Sequence, residues 1–118
     1  MFRYFDHVQL AIPRDGEEKA RTFYVTVLGF EEVPKPPELS NRGGAWFRSG
    51  NVSLHLGVDD LFTPAKKAHP ALRCRDYQEL VRQMAEHGIP VTHDELPFEG
   101  RPHCYVNDPF GNRIELIG

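Results

Sequence analysis

Apolar positions along this chain switch between two periods, and the switch occurs twice in the same order. Val8, Leu10 and Ile12 alternate with His7, Gln9 and Ala11, the period of a half-buried strand. Ala20, Phe23, Tyr24 and Val27 then follow at i, i+3, i+4 and i+7, one buried helical face. The second half opens with His69-Pro70-Ala71-Leu72-Arg73-Cys74 and continues with Tyr77, Leu80, Val81 and Met84 at the same helical spacing. Each predicted helix is preceded by Asp-x-x-Glu, Asp15 to Glu18 and Asp76 to Glu79, a pattern that caps the free N–H groups of a first turn. Each ends in a glycine, Gly29 and Gly88, suited to a left-handed C-terminal cap.

Shorter strand-like runs complete each half. Ala45 to Arg48 and Val52 to Gly57 flank the turn Ser49-Gly50-Asn51, and Arg101 to Asn107 and Arg113 to Ile117 flank Asp108 to Asn112. A further short strand is expected after each helix, around Glu31 to Val33 and Pro90 to His93. The pairs His7/His69, Gly29/Gly88 and His55/Glu115 lie 62, 59 and 60 residues apart, an internal repeat of about sixty residues. The chain is thus expected to be one α+β domain, residues 1–118, of two strand-helix-strand-strand-strand modules, about 1–58 and 67–118. Pro34 to Gly44 and Asp59 to Lys67 are punctuated, apolar-poor segments expected to be loops.

Alternation also sorts the polar side chains. His7, His55, His69 and Glu115 all carry the parity opposite the helix-facing residues, and they occupy equivalent first and last strands of the two halves. A pseudo-twofold arrangement would gather them. Imidazoles and one carboxylate favour zinc, iron, nickel, cobalt or manganese over calcium or magnesium. One histidine on a strand is more often a surface or hydrogen-bonded residue than a ligand, and alternation alone is equally consistent with a solvated outer face. His103 and Tyr105 share a parity and are candidates for lining a cleft. His87, at a helix end, suits a structural role, and His93 has no specific signal. Cys74 and Cys104 carry the apolar parity, as buried, inert thiols would.

Composition narrows the class of function. The 118 residues carry a net charge of -3, without the basic footprint that nucleic acid requires. No apolar run approaches the roughly 20 residues of a membrane span. The opening MFRYFDHVQL lacks the basic-then-apolar pattern of a secretory signal. Two cysteines cannot build a disulfide framework, so a reduced, cytoplasmic protein is expected. Phosphate-loop, nucleophile-elbow and zinc-protease motifs are missing.

Three stretches carry a family resemblance: Asp6-His7-Val8; Ala20-Arg21-Thr22-Phe23-Tyr24 running into Val27-Leu28-Gly29-Phe30; and Asp108-Pro109-Phe110-Gly111-Asn112-Arg113-Ile114-Glu115-Leu116. Together they span nearly the whole chain, which resembles the vicinal-oxygen-chelate superfamily, also called the glyoxalase/bleomycin resistance protein/extradiol dioxygenase family. The resemblance implies two βαβββ modules whose eight strands form a half-open, mixed, barrel-like sheet with the helices outside. It further implies one divalent metal ion per site and a homodimer. By matching position the metal ligands are His7, His55, His69 and Glu115. The implied catalytic residues are Glu115, His55 and Tyr105, with Gln9, Trp46 and His103 around a small oxygenated substrate held through two adjacent oxygens.

The departures from the family's patterns keep several readings open. Glutathione-dependent glyoxalase I commonly has a carboxylate where His55 stands. Ring-cleaving dioxygenases usually have four modules. Fosfomycin-inactivating members carry anion-binding residues beyond the final glutamate, and this sequence stops three residues after Glu115. Lyase or isomerase chemistry of the glyoxalase type leads. A ferrous ring-cleaving dioxygenase is one alternative. Another is a metal-independent binding or sequestration protein, with Phe5, Trp46 and Phe47 supplying contact.

Overall fold

Eight strands form two four-stranded sheets with one topology. In the first, β1 (Val8–Ile12), β2 (Glu31–Val33), β3 (Ala45–Ser49) and β4 (Val52–Val58) lie in the order β1-β4-β3-β2. In the second, β5 (Ala71–Arg73), β6 (Thr92–His93), β7 (His103–Asn107) and β8 (Arg113–Ile117) lie in the order β5-β8-β7-β6. In each sheet the outer first strand runs parallel to the last and the remaining pairs are antiparallel. The computed structural model describes residues 1–118 and falls into two units, Met1–Thr63 and Pro64–Gly118. These are the two α+β modules that the sixty-residue repeat predicts. The eight strands stand as two open four-stranded sheets, and neither closes into a barrel.

In the first unit α1 (Glu17–Arg21) continues as a π-helical stretch, Thr22–Val27. The Leu28 amide reaches back five residues to the Phe23 carbonyl at 2.9 Å. β-Branched Thr22, Val25, Thr26 and Val27 crowd a tight helical turn, and a wider turn relieves that crowding. The predicted face is nonetheless the buried one: Ala20, Phe23, Tyr24 and Val27 join Ile12, Phe30, Ala45, Phe47, Leu54 and Leu56 in the core. Phe47 stacks on Tyr24 with centroids 5.5 Å apart. It is therefore a core residue and not the ligand-contacting aromatic of the sequestration reading.

The expected cap by Asp15 does not form. Asp15 sits at φ 64°, in a turn closed by the Gly16 amide on the Pro13 carbonyl, and Gly16 takes the cap position without a side-chain bond. Aspartate tolerates that left-handed conformation better than most residues. Pro37–Arg42, expected to be plain loop, forms a 3₁₀ helix. The chain then returns to β3 through Gly44, whose φ is 81° and where an added Cβ would lie 2.0 Å from the Leu56 carbonyl oxygen. Only glycine fits that approach.

In the second unit Asp76 caps α2 (Tyr77–Glu86) as predicted, accepting from the Glu79 amide at 3.1 Å. His87 Nδ1 donates to the Gln83 carbonyl at 2.9 Å, the structural role expected of it at a helix end. Tyr77 and Met84 enter the core with Cys104, Val106, Ile114, Leu116 and Ile117. The Tyr77 hydroxyl is buried with no partner in normal hydrogen-bond geometry, beside the Cys104 thiol, and burial pushes its phenol well above its usual range. Burial likewise raises both thiols, Cys104 and Cys74, which keeps them protonated and unreactive. No helix is long and apolar enough to cross a membrane.

Candidate metal and substrate site

Strand register brings His55 between two rings. Within the first sheet Gln9 and Trp46 lie directly across from His55, on β1 and β3. Directly opposed side chains on one face are close enough to stack. Trp46 lies 3.9 Å from His55, centroid to centroid, with planes 4° apart. His7 covers the other face at 4.0 Å and 17°. The His55 imidazole is only 9% exposed, and its pKa falls below the ordinary histidine value, first through burial and then through repulsion from His7. It is a neutral ring at neutral pH. His7 is more open, and its Nδ1 donates to Asp6 Oδ1 at 2.8 Å, which leaves Nε2 available. Gln9 is exposed, and its amide lies over Gly57.

The second sheet repeats this layout with different chemistry. Ala71 and Tyr105 lie across from Glu115, on β5 and β7, as Gln9 and Trp46 lie across from His55. His69, two residues before Ala71, approaches Glu115 Oε1 through Nε2 at 3.0 Å, while its Nδ1 donates to the Lys67 carbonyl at 2.8 Å. His103 takes the other carboxylate oxygen: Nδ1 is 2.8 Å from Glu115 Oε2, and Nε2 is 2.8 Å from the Leu96 carbonyl. That carbonyl first, and the Glu115 carboxylate next, raise the His103 pKa against the opposing effect of burial. Glu115 and His103 are 7% and 6% exposed, so this part of the polar face is buried rather than solvated.

Tyr105 joins these groups. Its ring meets His69 edge-on at 5.4 Å and His103 at 5.8 Å. The Arg113 guanidinium lies over its face, 4.0 Å from the centroid.

The turn before β8 fixes this register. Asp108 Oδ1 accepts from the Phe110 and Asn112 amides at 2.9 and 2.8 Å, and Asn112 Nδ2 donates to Asp108 Oδ2 at 2.9 Å. A buried Asp–Asn clamp thus sets the β7–β8 hairpin and, with it, which side chains face Tyr105.

The His69–Glu115 pair has the chemistry and spacing of two ligands on a borderline divalent ion. Two ligands about 2.1 Å from one ion and at right angles are about 3 Å apart, the spacing of His69 Nε2 and Glu115 Oε1. Each first-strand histidine has Nδ1 engaged, by Asp6 or by the Lys67 carbonyl, and presents Nε2. Such outer partners orient a ligating imidazole. His7 and His55 differ from that pair. Lone pairs lie in the ring plane, so two rings stacked 4.0 Å apart direct theirs side by side rather than to one point. No three or more His, Cys, Asp or Glu side chains are arranged to hold an ion.

Sequence reasoning did not find the contact of His103 with Glu115, nor the place of Arg113 over Tyr105. The signal was available in strand parity: once the Asp108–Asn112 turn fixes the hairpin, His103, Tyr105, Arg113 and Glu115 share one face.

Comparison with known proteins agrees with this topology. The family model for the Glyoxalase/Bleomycin resistance protein/Dioxygenase superfamily matches residues 4–116. A protein from Bacillus anthracis assigned to the glyoxalase family is 46% identical, with 99% of this chain and 98% of that one covered and a TM-score of 0.92. A glyoxalase/dioxygenase from Nostoc punctiforme is 23% identical, with 98% and 90% covered and a TM-score of 0.78. The fosfomycin resistance protein FosX from Listeria monocytogenes is 16% identical, with 100% and 92% covered and a TM-score of 0.74. The last two share the fold. No curated protein matches the chain.

Proposed function

The chain belongs to the Glyoxalase/Bleomycin resistance protein/Dioxygenase superfamily, and from that premise we propose that it is a metal-dependent enzyme acting on a small oxygenated substrate, by lyase or isomerase chemistry. The proposed ligands are His7, His55, His69 and Glu115. The observation that carries this reading is the 3.0 Å approach of His69 Nε2 to Glu115 Oε1, with the outer atoms of both groups already held. When bound, a divalent ion supplies Lewis-acid polarisation of two adjacent substrate oxygens.

The protein's own groups supply orientation and proton transfer. His103 holds Glu115 by one oxygen and leaves the other toward His69. Whichever of His55 and Glu115 the ion does not hold would shuttle the proton, and an unbound His55, neutral because it is buried between rings, is suited to accept one at neutral pH. His7 is the exposed member of its stack and the ring that must turn if both imidazoles are to bind one ion. Tyr105, whose ring meets His69 and His103, is the proposed hydrogen-bond donor to substrate, and Gln9 and Trp46 flank His55. Homodimerisation belongs to the same proposal. Met1, Phe2, Tyr4 and Phe5 are each more than four-fifths exposed, an apolar segment suited to a second copy.

Elemental analysis of the purified protein tests the reading. Near-stoichiometric metal, falling sharply in His69→Ala and Glu115→Gln, is the expected result. No metal as purified and none taken up from zinc, nickel, cobalt, manganese or ferrous iron would refute it and leave a metal-independent binding protein. Ferrous iron as the resident metal would move the reaction to the dioxygenase class.

A further inference from the structure

Arg113 stands apart from the other arginines. Arg14, Arg21, Arg82 and Arg101 each reach a carboxylate. Arg3, Arg42, Arg48, Arg73 and Arg75 are exposed. Arg113 is half-buried and makes no ion pair or side-chain hydrogen bond. What holds it is the face of Tyr105, 4.0 Å below the guanidinium carbon. Such a contact fixes the plane of a guanidinium and leaves its N–H edge unused.

The next side chain on its face of β8 is the carboxylate of Glu115, two residues along and about 7 Å away at strand rise. Both of its oxygens are committed, one to His69 and one to His103. The charge of Arg113 is therefore positioned, partly desolvated and uncompensated. An ordered guanidinium fork in that state matches a planar or tetrahedral oxyanion.

We propose that Arg113 binds an anionic group of the substrate, a carboxylate or phosphonate, and that the substrate is therefore a small acid. The acid group sits at Arg113, over the Tyr105 ring, about one strand repeat from Glu115. The adjacent-oxygen pair of the same molecule is the part that the proposed metal site takes, so the inference rests on that reading for the other end of the substrate. Lysine cannot replace Arg113 fully, because a point charge lacks both the stacking plane and the paired donors.

A matched pair of probes separates the two claims. 3,4-Dihydroxyphenylacetate and its amide present the same adjacent oxygens and differ in charge. Calorimetry on the zinc-loaded protein is expected to show the acid binding at least tenfold more tightly than the amide. Arg113→Met removes that preference while amide affinity stays within twofold, and Arg113→Lys restores part of it. Equal affinities in the wild type, or a preference that survives in Arg113→Met, would overturn the inference. If the metal reading fails, the paired probes lose their common anchor, and a second measurement, made without metal, still decides. In metal-free protein, inorganic phosphate is expected to shift the Arg113 Nε–H resonance saturably, with no shift in the resonances of exposed Arg3 and Arg73. An unmoved Arg113 signal rejects the anion site whatever the metal does.

Discussion

His103 holds Glu115 by a single oxygen, Nδ1 to Oε2 at 2.8 Å, and is itself tied at Nε2 to the Leu96 carbonyl. The carboxylate is thereby oriented for the ion binding proposed above. Removing such an outer partner typically weakens metal binding about 10–100-fold. His103→Ala is expected to fall in that range, as measured by competition with a chromophoric chelator. His103→Asn, which keeps one side-chain N–H, should recover part of the loss. Unchanged affinity in His103→Ala would show that Glu115 needs no such hold.

The two clamped histidines should titrate in opposite directions in metal-free protein. His55 releases its proton below the ordinary value of 6.5, because it is buried and faces His7. Between its folded value and 6.5 the unfolded chain holds more protons, so its contribution to stability is present above 6.5 and is lost as pH falls through the folded value. His103 is raised above 6.5, chiefly by the Leu96 carbonyl, so its contribution is full below 6.5 and is lost as pH rises through the folded value. Imidazole resonances followed from pH 4 to 9 should separate the two. Trp46→Ala, which uncovers one face of His55, should return that ring toward 6.5. A normal His55 titration in the wild type would contradict the buried stack.

Gly44 has no acceptable substitute. An alanine there combines a left-handed backbone with a Cβ 2.0 Å from the Leu56 carbonyl oxygen. The cost is expected to be about 3 kcal/mol or more. Urea unfolding of Gly44→Ala measures it. A loss below about 1 kcal/mol would mean that the loop before β3 shifts freely.

Tyr77→Phe should not harm the protein. It deletes a buried hydroxyl that lacks a partner in normal geometry and leaves the ring in place. An unsatisfied buried polar group costs about 1–3 kcal/mol, so a rise in melting temperature of a few degrees is expected. A fall would show that the contact with the Cys104 thiol is a favourable one.

Much of this was legible because strand parity is local. The placing of His7, His55, His69 and Glu115 on one parity needs only the alternation of side chains, and the repeat supplies which strands correspond. The Asp108-to-Asn112 turn predicts its own hairpin, since Asp and Asn satisfy the turn from within. The rest depended on competition between neighbours. Asp15 carries a capping side chain, but the turn after Pro13 places its backbone at positive φ and passes the cap to Gly16. The π-helical widening at Thr22 depends on how β-branched residues crowd one turn, which a periodicity of apolar positions does not register. The stack of His7, His55 and Trp46 and the clamp of His103 on Glu115 are cross-strand contacts. They become visible only once register is fixed to the residue.

The strand order has a consequence for how tightly each proposed ligand is anchored. His55 and Glu115 sit on β4 and β8, the inner strands that are hydrogen-bonded on both sides, whereas His7 and His69 precede β1 and β5 at sheet edges. Backbone hydrogen exchange runs slowest on such inner strands and fastest at frayed edges. Each unit therefore pairs a proposed ligand on a doubly hydrogen-bonded strand with one whose backbone can open without unfolding the sheet. Under the proposed ligand assignment, His55 and Glu115 would hold their places while His7 and His69 are the ligands whose backbone is free to adjust.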